Sequence, residues 1–389
     1  MMSFPDGFLW GTATAAHQVE GGNSNNDWWA WEHADHTRCE EPSGDACDQY
    51  WRYPEDLDIL VELGFGAYRF SLEWSRIQPE PNEWSTAQLD HYSRMLDACH
   101  ERGLMPVVTF HHFTNPRWMA ADGGWANPVN ADRFADFCAH AVGVLGDRIG
   151  MACTINEPNI LPLMGWLWGL FPPGIEQDLD GYQKATHTLI DAHAKAAAAI
   201  KAGPGDFPVG LTVSMNDWIA MPGAEEQLEQ YRHAHEDVYL ETCRGDDFLG
   251  VQAYTRGRVD EKGMMGHEDG VEVLPMGYEY WPNAAAGALR HAIDVTGIPV
   301  YVTENGIGTD DDEQRIRFLR DSLTQVAACI DEGLDVRGFF HWSLLDNFEW
   351  AFGYRMRFGI VAVDRTTQVR TIKPSARWLS EVVNTNRIA

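Results

Sequence analysis

The chain has 389 residues, 44% hydrophobic and 22% charged, with 58 Asp and Glu against 29 Lys and Arg for a formal charge of −29. That composition is globular rather than disordered, and long enough for a sizeable core in one large domain or two ordinary ones. So acidic a surface repels phosphate backbones and anionic lipid, which excludes nucleic acid and membrane surfaces as partners. Only five of the cations are Lys, which fits salt adaptation and biased codon usage equally.

In chain order, short apolar runs read as strands over 8–15, 67–72, 105–110, 151–155, 209–215, 248–253, 300–303 and 337–342. Amphipathic patterns between them read as helices over 54–63, 86–102, 131–149, 182–202, 225–243, 284–296 and 312–332. Gly103, Gly150, Gly203, Gly245, Gly297 and Gly333 stand where a left-handed cap is wanted. The stretch 22–51 reads as a long polar and aromatic loop. Strand and helix in alternation predict a single (β/α)8 TIM barrel over 1–389, with its active site at the C-terminal ends of the strands. A doubly wound open sheet is the alternative, but no G-x-G-x-x-G follows an early strand.

No basic, apolar leader opens the chain, and no apolar run reaches the roughly 18 residues of a membrane span. The seven Cys (Cys39, Cys47, Cys99, Cys138, Cys153, Cys243, Cys329) are odd in number, scattered, and lack a C-x-x-C. They predict reduced thiols in the cytoplasm, with no disulfide framework, no metal site and no cofactor. His111 and His112 are adjacent on a strand and point to opposite faces, so they do not share an ion. His233 and His235 are expected on a helix surface.

The strand ends carry the chemistry. Gln18 and Glu20 follow the first strand, Arg69 and Glu73 the second, His111-His112-Phe113 the third and Asn156-Glu157-Pro158 the fourth. Tyr254 follows the sixth, Glu304-Asn305-Gly306 the seventh, and Trp342, Asp346, Asn347, Glu349 and Trp350 the eighth. Glu157 and Glu304 stand at the tips of apolar strands expected to face each other across the barrel. Two carboxyls about 5–5.5 Å apart suit retaining glycoside hydrolysis, whereas a wider gap admits a water and inverts. Like charges at that distance raise one pKa, which makes that group the acid. The 16 Trp fit a sugar cleft, because the flat indole covers the C–H face of a pyranose.

The run from Phe8 to Gly21 (FLWGTATAAHQVEG) resembles the amino-terminal signature of glycoside hydrolase family 1, the β-glucosidase family. So do Tyr68 to Ser71 (YRFS), Gly123 to Asn127 (GGWAN), Thr154 to Pro158 (TINEP), Val302 to Gly306 (VTENG), Trp342 to Trp350 (WSLLDNFEW) and Arg357 to Ile360 (RFGI). The resemblance implies a retaining, exo-acting β-glycosidase, most readily a β-glucosidase tolerant of galactose or fucose, whose partner is a small-molecule β-glycoside. It implies Glu157 as acid/base and Glu304 as nucleophile, with Arg69 and Tyr254 holding Glu304 and the Arg keeping its pKa low. It implies Gln18, His112, Asn156, Glu349 and Trp350 on the glycone hydroxyls, Trp342 beneath the ring and Phe358 near its 6-position. Trp125, Trp166 and Trp168 are expected on the aglycone side.

The sequence departs from the family at Gln252, where Asn is usual, at Glu73, where Ser is usual, and in the run Gly165 to Gly174, where a Trp stands for the usual Tyr and Phe171-Pro172 for the usual His-Ala. Glu73 is expected to pair with Arg76. Glu349 and Trp350 disfavour a phosphorylated sugar, and Glu157 disfavours a thioglucoside. Transfer to an alcohol in place of water stays open. A non-catalytic sugar binder would lack one of the two carboxylates, and an aldolase would need a strand-end Lys, which none of the five provides.

Overall fold

A computed structural model describes residues 2–388. Eight strands, β1 Leu9–Ala13, β2 Ala67–Ser71, β3 Met105–His111, β4 Met151–Asn156, β5 Val209–Ala220, β6 Phe248–Asp260, β7 Val300–Asn305 and β8 Val336–Trp342, pair parallel in chain order, and β8 closes on β1. Helices follow them as α1 Gln49–Leu63, α2 Thr86–Glu101, α3 Val129–Leu145, α4 Leu179–Ala202, α5 Glu225–Arg232, α6 Ala284–Thr296, α7 Asp312–Asp331 and α8 Pro374–Thr385. The expected (β/α)8 barrel is therefore the fold.

Local chemistry explains the helix ends. Ser85 opens α2 by accepting from the Gln88 N–H, and Asp311 opens α7 by accepting from the N–H groups of Glu313 and Gln314. On α2 the buried Leu89, Tyr92, Met95, Leu96 and Cys99 keep the three-and-four spacing of one helix face. Gly103, Gly297 and Gly333 take positive φ, as expected. Gly150, Gly203 and Gly245 do not, and Gly203 is extended at φ −79°.

Three other expectations need correction. Helix α1 begins at Gln49 and runs through Pro54, although a proline inside a helix forfeits the bond to the carbonyl four residues back and crowds that oxygen. The stretch 22–51 contains a short helix, Asp27–Glu32, capped by Asn26. The helix expected over 225–243 breaks after Arg232 into a wider turn at His233–Asp237 and a tighter one at Glu241–Gly245.

The barrel interior changes character along its axis. Near the N-terminal ends of the strands, Leu9, Ala67, Val107, Met151, Phe248, Tyr301 and Phe340 form an apolar plug. Two residues further along β2 and β3, in the same inward register, stand Arg69 and Thr109. The plug supports a polar layer, and the layer opens at the C-terminal mouth. Beneath the barrel, Met2–Ser3 pairs antiparallel with Arg387–Ile388 and ties the chain ends together. Among the described residues no helix is long and apolar enough to cross a membrane.

Candidate active site

The mouth holds a cavity of about 410 Å³ lined by His112, Asn156, Glu157, Tyr254, Glu304, Trp342, Glu349, Trp350 and Phe358, together with Trp168 at its rim. Strands β4 and β7 are three places apart around the ring rather than opposite, and their tips converge on this cavity.

The two carboxylates are held differently. Glu304 Oε1 accepts from Arg69 Nη1 at 2.5 Å and Oε2 accepts from the Tyr254 hydroxyl at 2.5 Å. Arg69 is fully buried and also donates to Asn156 Oδ1 (2.6 Å) and Thr109 Oγ1 (3.1 Å). Burial raises the Glu304 carboxyl above its ordinary value, while the Arg69 charge and the Tyr254 and Gln252 hydrogen bonds pull it back. Arg69 thus limits the rise; it does not bring the carboxyl below its ordinary range as expected. Among the described residues Glu157 has no cation within salt-bridge distance. Burial first, and then the Glu304 charge, push its carboxyl well above the ordinary value. Its backbone sits at φ +45°, a conformation costing a non-glycine residue on the order of 1–3 kcal/mol. Its N–H is tied to the Thr212 carbonyl at 2.9 Å, which helps hold that geometry.

A second set of groups offers unpartnered polar atoms. Gln18 Nε2 donates to the Phe348 carbonyl (2.7 Å) and to Glu349 Oε2 (3.3 Å), which leaves Gln18 Oε1 buried with no partner. His112 Nε2 lies 3.2 Å from Asn156 Nδ2, and His112 Nδ1 is buried with no partner. Burial, followed by the Arg69 and His111 charges, holds the His112 ring well below its ordinary pKa, so it is neutral. His111 faces the other way, against Asn115 and Trp125. Burial and the Glu304 charge push the Glu349 carboxyl up to about 8.

The aromatic groups complete the walls. Trp342 is buried and near-parallel to the His112 ring at 5.9 Å. Trp350, at φ +52°, is wedged against His17, Trp28 and Phe171. Phe358 packs edge-on against Tyr254. Gly306 is needed because the Trp342 carbonyl approaches closely: a Cβ there would stand 2.1 Å from that oxygen.

Of the Trp residues expected on the aglycone side, only Trp168 reaches the cavity rim, and it is 42% exposed. Trp125 and Trp166 are buried and line a separate pocket with Pro172 and Pro173, so neither faces the cavity. Glu73 does not pair with Arg76. Arg76 Nε reaches Glu20 Oε2 at 2.9 Å, and Glu73 accepts from the hydroxyls of Ser75 (2.6 Å) and Thr114. His233 is exposed, but His235 is half-buried against Tyr182 and Tyr231. Sequence reasoning missed Thr109 and Thr212, which brace Arg69 and Asn156. Inward alternation from Val107 would have found Thr109. It also missed Tyr278, Met276 and Arg38, loop residues on the cavity wall with no periodic signal.

The sequence matches the glycosyl hydrolase family 1 model over residues 1–246 and 247–388. Beta-glucosidase A of Thermotoga maritima is 34% identical, with 98% of each chain covered. A bifunctional beta-D-glucosidase/beta-D-fucosidase of Bifidobacterium breve is 33% identical, with 97% of each covered. Among solved structures, a beta-glycosidase 45% identical superposes with a TM-score of 0.92 over 99% of this chain and 98% of that one. The Thermotoga maritima beta-glucosidase in complex with a substituted glucoimidazole gives 0.94 at 32% identity over the whole of both. Barrel and match thus agree from one end of the chain to the other, and the chain belongs to glycosyl hydrolase family 1, the retaining β-glycosidases.

Proposed function

We propose that the enzyme is an exo-acting β-glucosidase in which Glu304 is the nucleophile and Glu157 the acid/base. The observation that carries this assignment is the asymmetry of the pair. Arg69 and Tyr254 grip Glu304, while Glu157 has no cation within salt-bridge distance among the described residues and is pushed up by burial and by the Glu304 charge. At neutral pH Glu157 carries the proton and Glu304 the charge.

In the first step Glu157 gives its proton to the glycosidic oxygen as a Glu304 oxygen attacks the anomeric carbon. The C–O bond to the aglycone breaks, and a glycosyl ester forms on Glu304. In the second step Glu157, now a carboxylate, takes a proton from water. The resulting oxygen nucleophile displaces Glu304, and two inversions leave the β configuration unchanged.

Glucose fits the remaining groups. Gln18 Oε1 and Glu349 accept from adjacent hydroxyls, and His112 Nδ1–H donates to one. Asn156 reaches the 2-hydroxyl, the contact whose strengthening in the transition state matters most. Trp342 covers the apolar ring face, with Trp350 beside the hydroxyls and Phe358 towards the 6-position. Fucose, which lacks the 6-hydroxyl, and galactose, which differs at the 4-position, keep most of these contacts; the Bifidobacterium relative is named for glucosidase and fucosidase activity. Glu349 is an acid where a 6-phosphate would want a cation, and Arg38 on the cavity wall is already paired with Glu176. The Cys residues are free thiols, which suits the reducing cytoplasm.

Azide tests the roles. Glu157→Ala should keep the first step with p-nitrophenyl β-D-glucoside, stall at the ester, and release a β-glucosyl azide. Glu304→Ala with azide should give the α-azide. The reverse pair of products would exchange the two roles.

A further inference from the structure

A second cavity of about 460 Å³ lies beside the catalytic one and shares with it the wall formed by Ile160, Met164, Trp168, Ser214, Tyr254 and Tyr278. It is built by strands that outrun the barrel. Beyond the rim, β5 and β6 continue as a paired ribbon, with Asp217 to Ala220 against Arg256 to Val259. The wide turn His233–Asp237 closes one side. The Trp218 ring lies directly over Gly257, where a Cβ would stand 2.1 Å from the indole, so the ribbon is shaped to seat that ring.

The lining is aromatic and thioether. Trp218 and Tyr231 meet edge-on at 4.9 Å, and Met215, Met264 and Met265 add unbranched, polarisable surface that adapts to flat rings. Its charged groups are mostly engaged already: Arg256 with Glu279 and Glu268, and Arg258 with Glu268 and the Gly266 carbonyl. Glu236 is the exception. It is 2% exposed, and its Oε1 accepts from the Asn216 N–H (3.1 Å) and Trp218 Nε1 (2.5 Å), whereas its Oε2 has no partner. Burial pushes this carboxyl up to about 8, so at neutral pH it keeps its proton as a donor.

A second sugar would require a ring of free donors and acceptors. Apart from the side chains of Ser214, Asn216 and His235 on its wall, this cavity's buried unpartnered atoms are one carboxyl oxygen of Glu236 and Arg258 Nε, among apolar rings and methionines. We propose that the side cavity seats the distal rings of a multi-ring aromatic aglycone, so that polyphenol β-glucosides are preferred substrates, with Glu236 hydrogen-bonding a ring oxygen. The proposal rests on the assignment of Glu157 and Glu304 as the hydrolytic pair.

The test compares three substrates on the intact enzyme: p-nitrophenyl β-D-glucoside, whose single ring stays in the shared mouth, a flavone 7-O-β-glucoside, and cellobiose. Tyr231→Ala and Glu236→Leu should each lower kcat/KM for the flavone glucoside about tenfold and leave the p-nitrophenyl glucoside within about twofold. Glu236→Gln keeps an acceptor for Trp218 and a donor toward the cavity, and should stay near wild type. An equal fall for both aryl substrates, or a fall confined to cellobiose, overturns the proposal. A folded wild type that leaves p-nitrophenyl β-D-glucoside uncut refutes instead the reading of the dyad.

Discussion

Arg69→Met removes the one cation that touches the Glu304 carboxylate and leaves that charge buried. The pair is close (2.5 Å) and neither side chain is more than 5% exposed. Removing one partner of such a pair costs about 3–5 kcal/mol, most of it from the stranded charge. Protonation is the cheapest escape, at 1.36 kcal/mol per pKa unit, so the Glu304 pKa should rise by about 2–3 units. The sign follows from the mechanism. The nucleophile must be ionised, so its titration forms the acidic limb of kcat/KM, and that limb should move to higher pH by about 2 units. The basic limb reports loss of the Glu157 proton while Glu304 is still charged, and because the Arg69 charge lowers the Glu157 pKa, that limb should also move to higher pH. The assay is kcat/KM for p-nitrophenyl β-D-glucoside from pH 4 to 9, with circular dichroism to confirm folding at each point. Arg69→Lys restores the charge without the fork and should recover part of the shift. A folded Arg69→Met whose acidic limb does not move would refute the claim that Arg69 sets the charge on Glu304.

Three further outcomes are expected. Glu349→Gln should lower kcat/KM for the glucoside by about 2- to 10-fold at neutral pH, the worth of a neutral hydrogen bond, because the carboxyl is raised to about 8, and should flatten the pH dependence of stability. The folded Glu349 carboxyl is raised to about 8, so the folded chain holds a proton that the unfolded chain loses near pH 4.5; that stability is complete below about 4.5 and disappears as pH rises through about 8, a loss of up to about 5 kcal/mol. Thermal midpoints of both proteins across pH 5–9 check this, and wild type should lose more than the variant. Gly306→Ala drives a Cβ into the Trp342 carbonyl and should cost about 1–3 kcal/mol of stability with at least a tenfold fall in kcat/KM, read by thermal melting and initial rates. Gln252→Leu should lower kcat/KM for the glucoside but much less for its 2-deoxy analogue, because it removes a donor that orients Asn156.

Much of this molecule is legible in its residues because the barrel separates its duties along the strand. The runs that name the strands are the apolar plug and the outer faces, and the carboxylates show because Glu157 and Glu304 interrupt such runs at their ends. Side-chain reach is less visible. Arg76 is three residues from Glu73 but extends to Glu20, where it also meets the Gly21 carbonyl, and the Glu73 oxygens find hydroxyls instead. Tryptophan is ambiguous by nature, since the same flat face suits a sugar and a core; Trp125 stacks edge-on with His111 and Phe134, while Trp168 stays at the rim. The overrun of β5 and β6 was hidden because residues 214–220 mix polar and apolar types without a clean period.

The departure at Gln252 has a physical reading that reaches the sugar. Asn156 Oδ1 receives donors from two directions, Arg69 Nη2 at 2.6 Å and Gln252 Nε2 at 3.0 Å, so the oxygen end of that amide must face the barrel axis. Its Nδ2 then faces His112 Nε2, which must accept. Because the His112 ring is neutral, its proton lies on Nδ1, the atom left without a protein partner. The same Arg69 that grips the nucleophile therefore helps fix, through Asn156, which hydrogen the imidazole presents to a substrate hydroxyl. Positioning of the charge at Glu304 and recognition of the glycone run through one guanidinium, so a lesion at Arg69 should damage both and a lesion at Gln252 mainly the second.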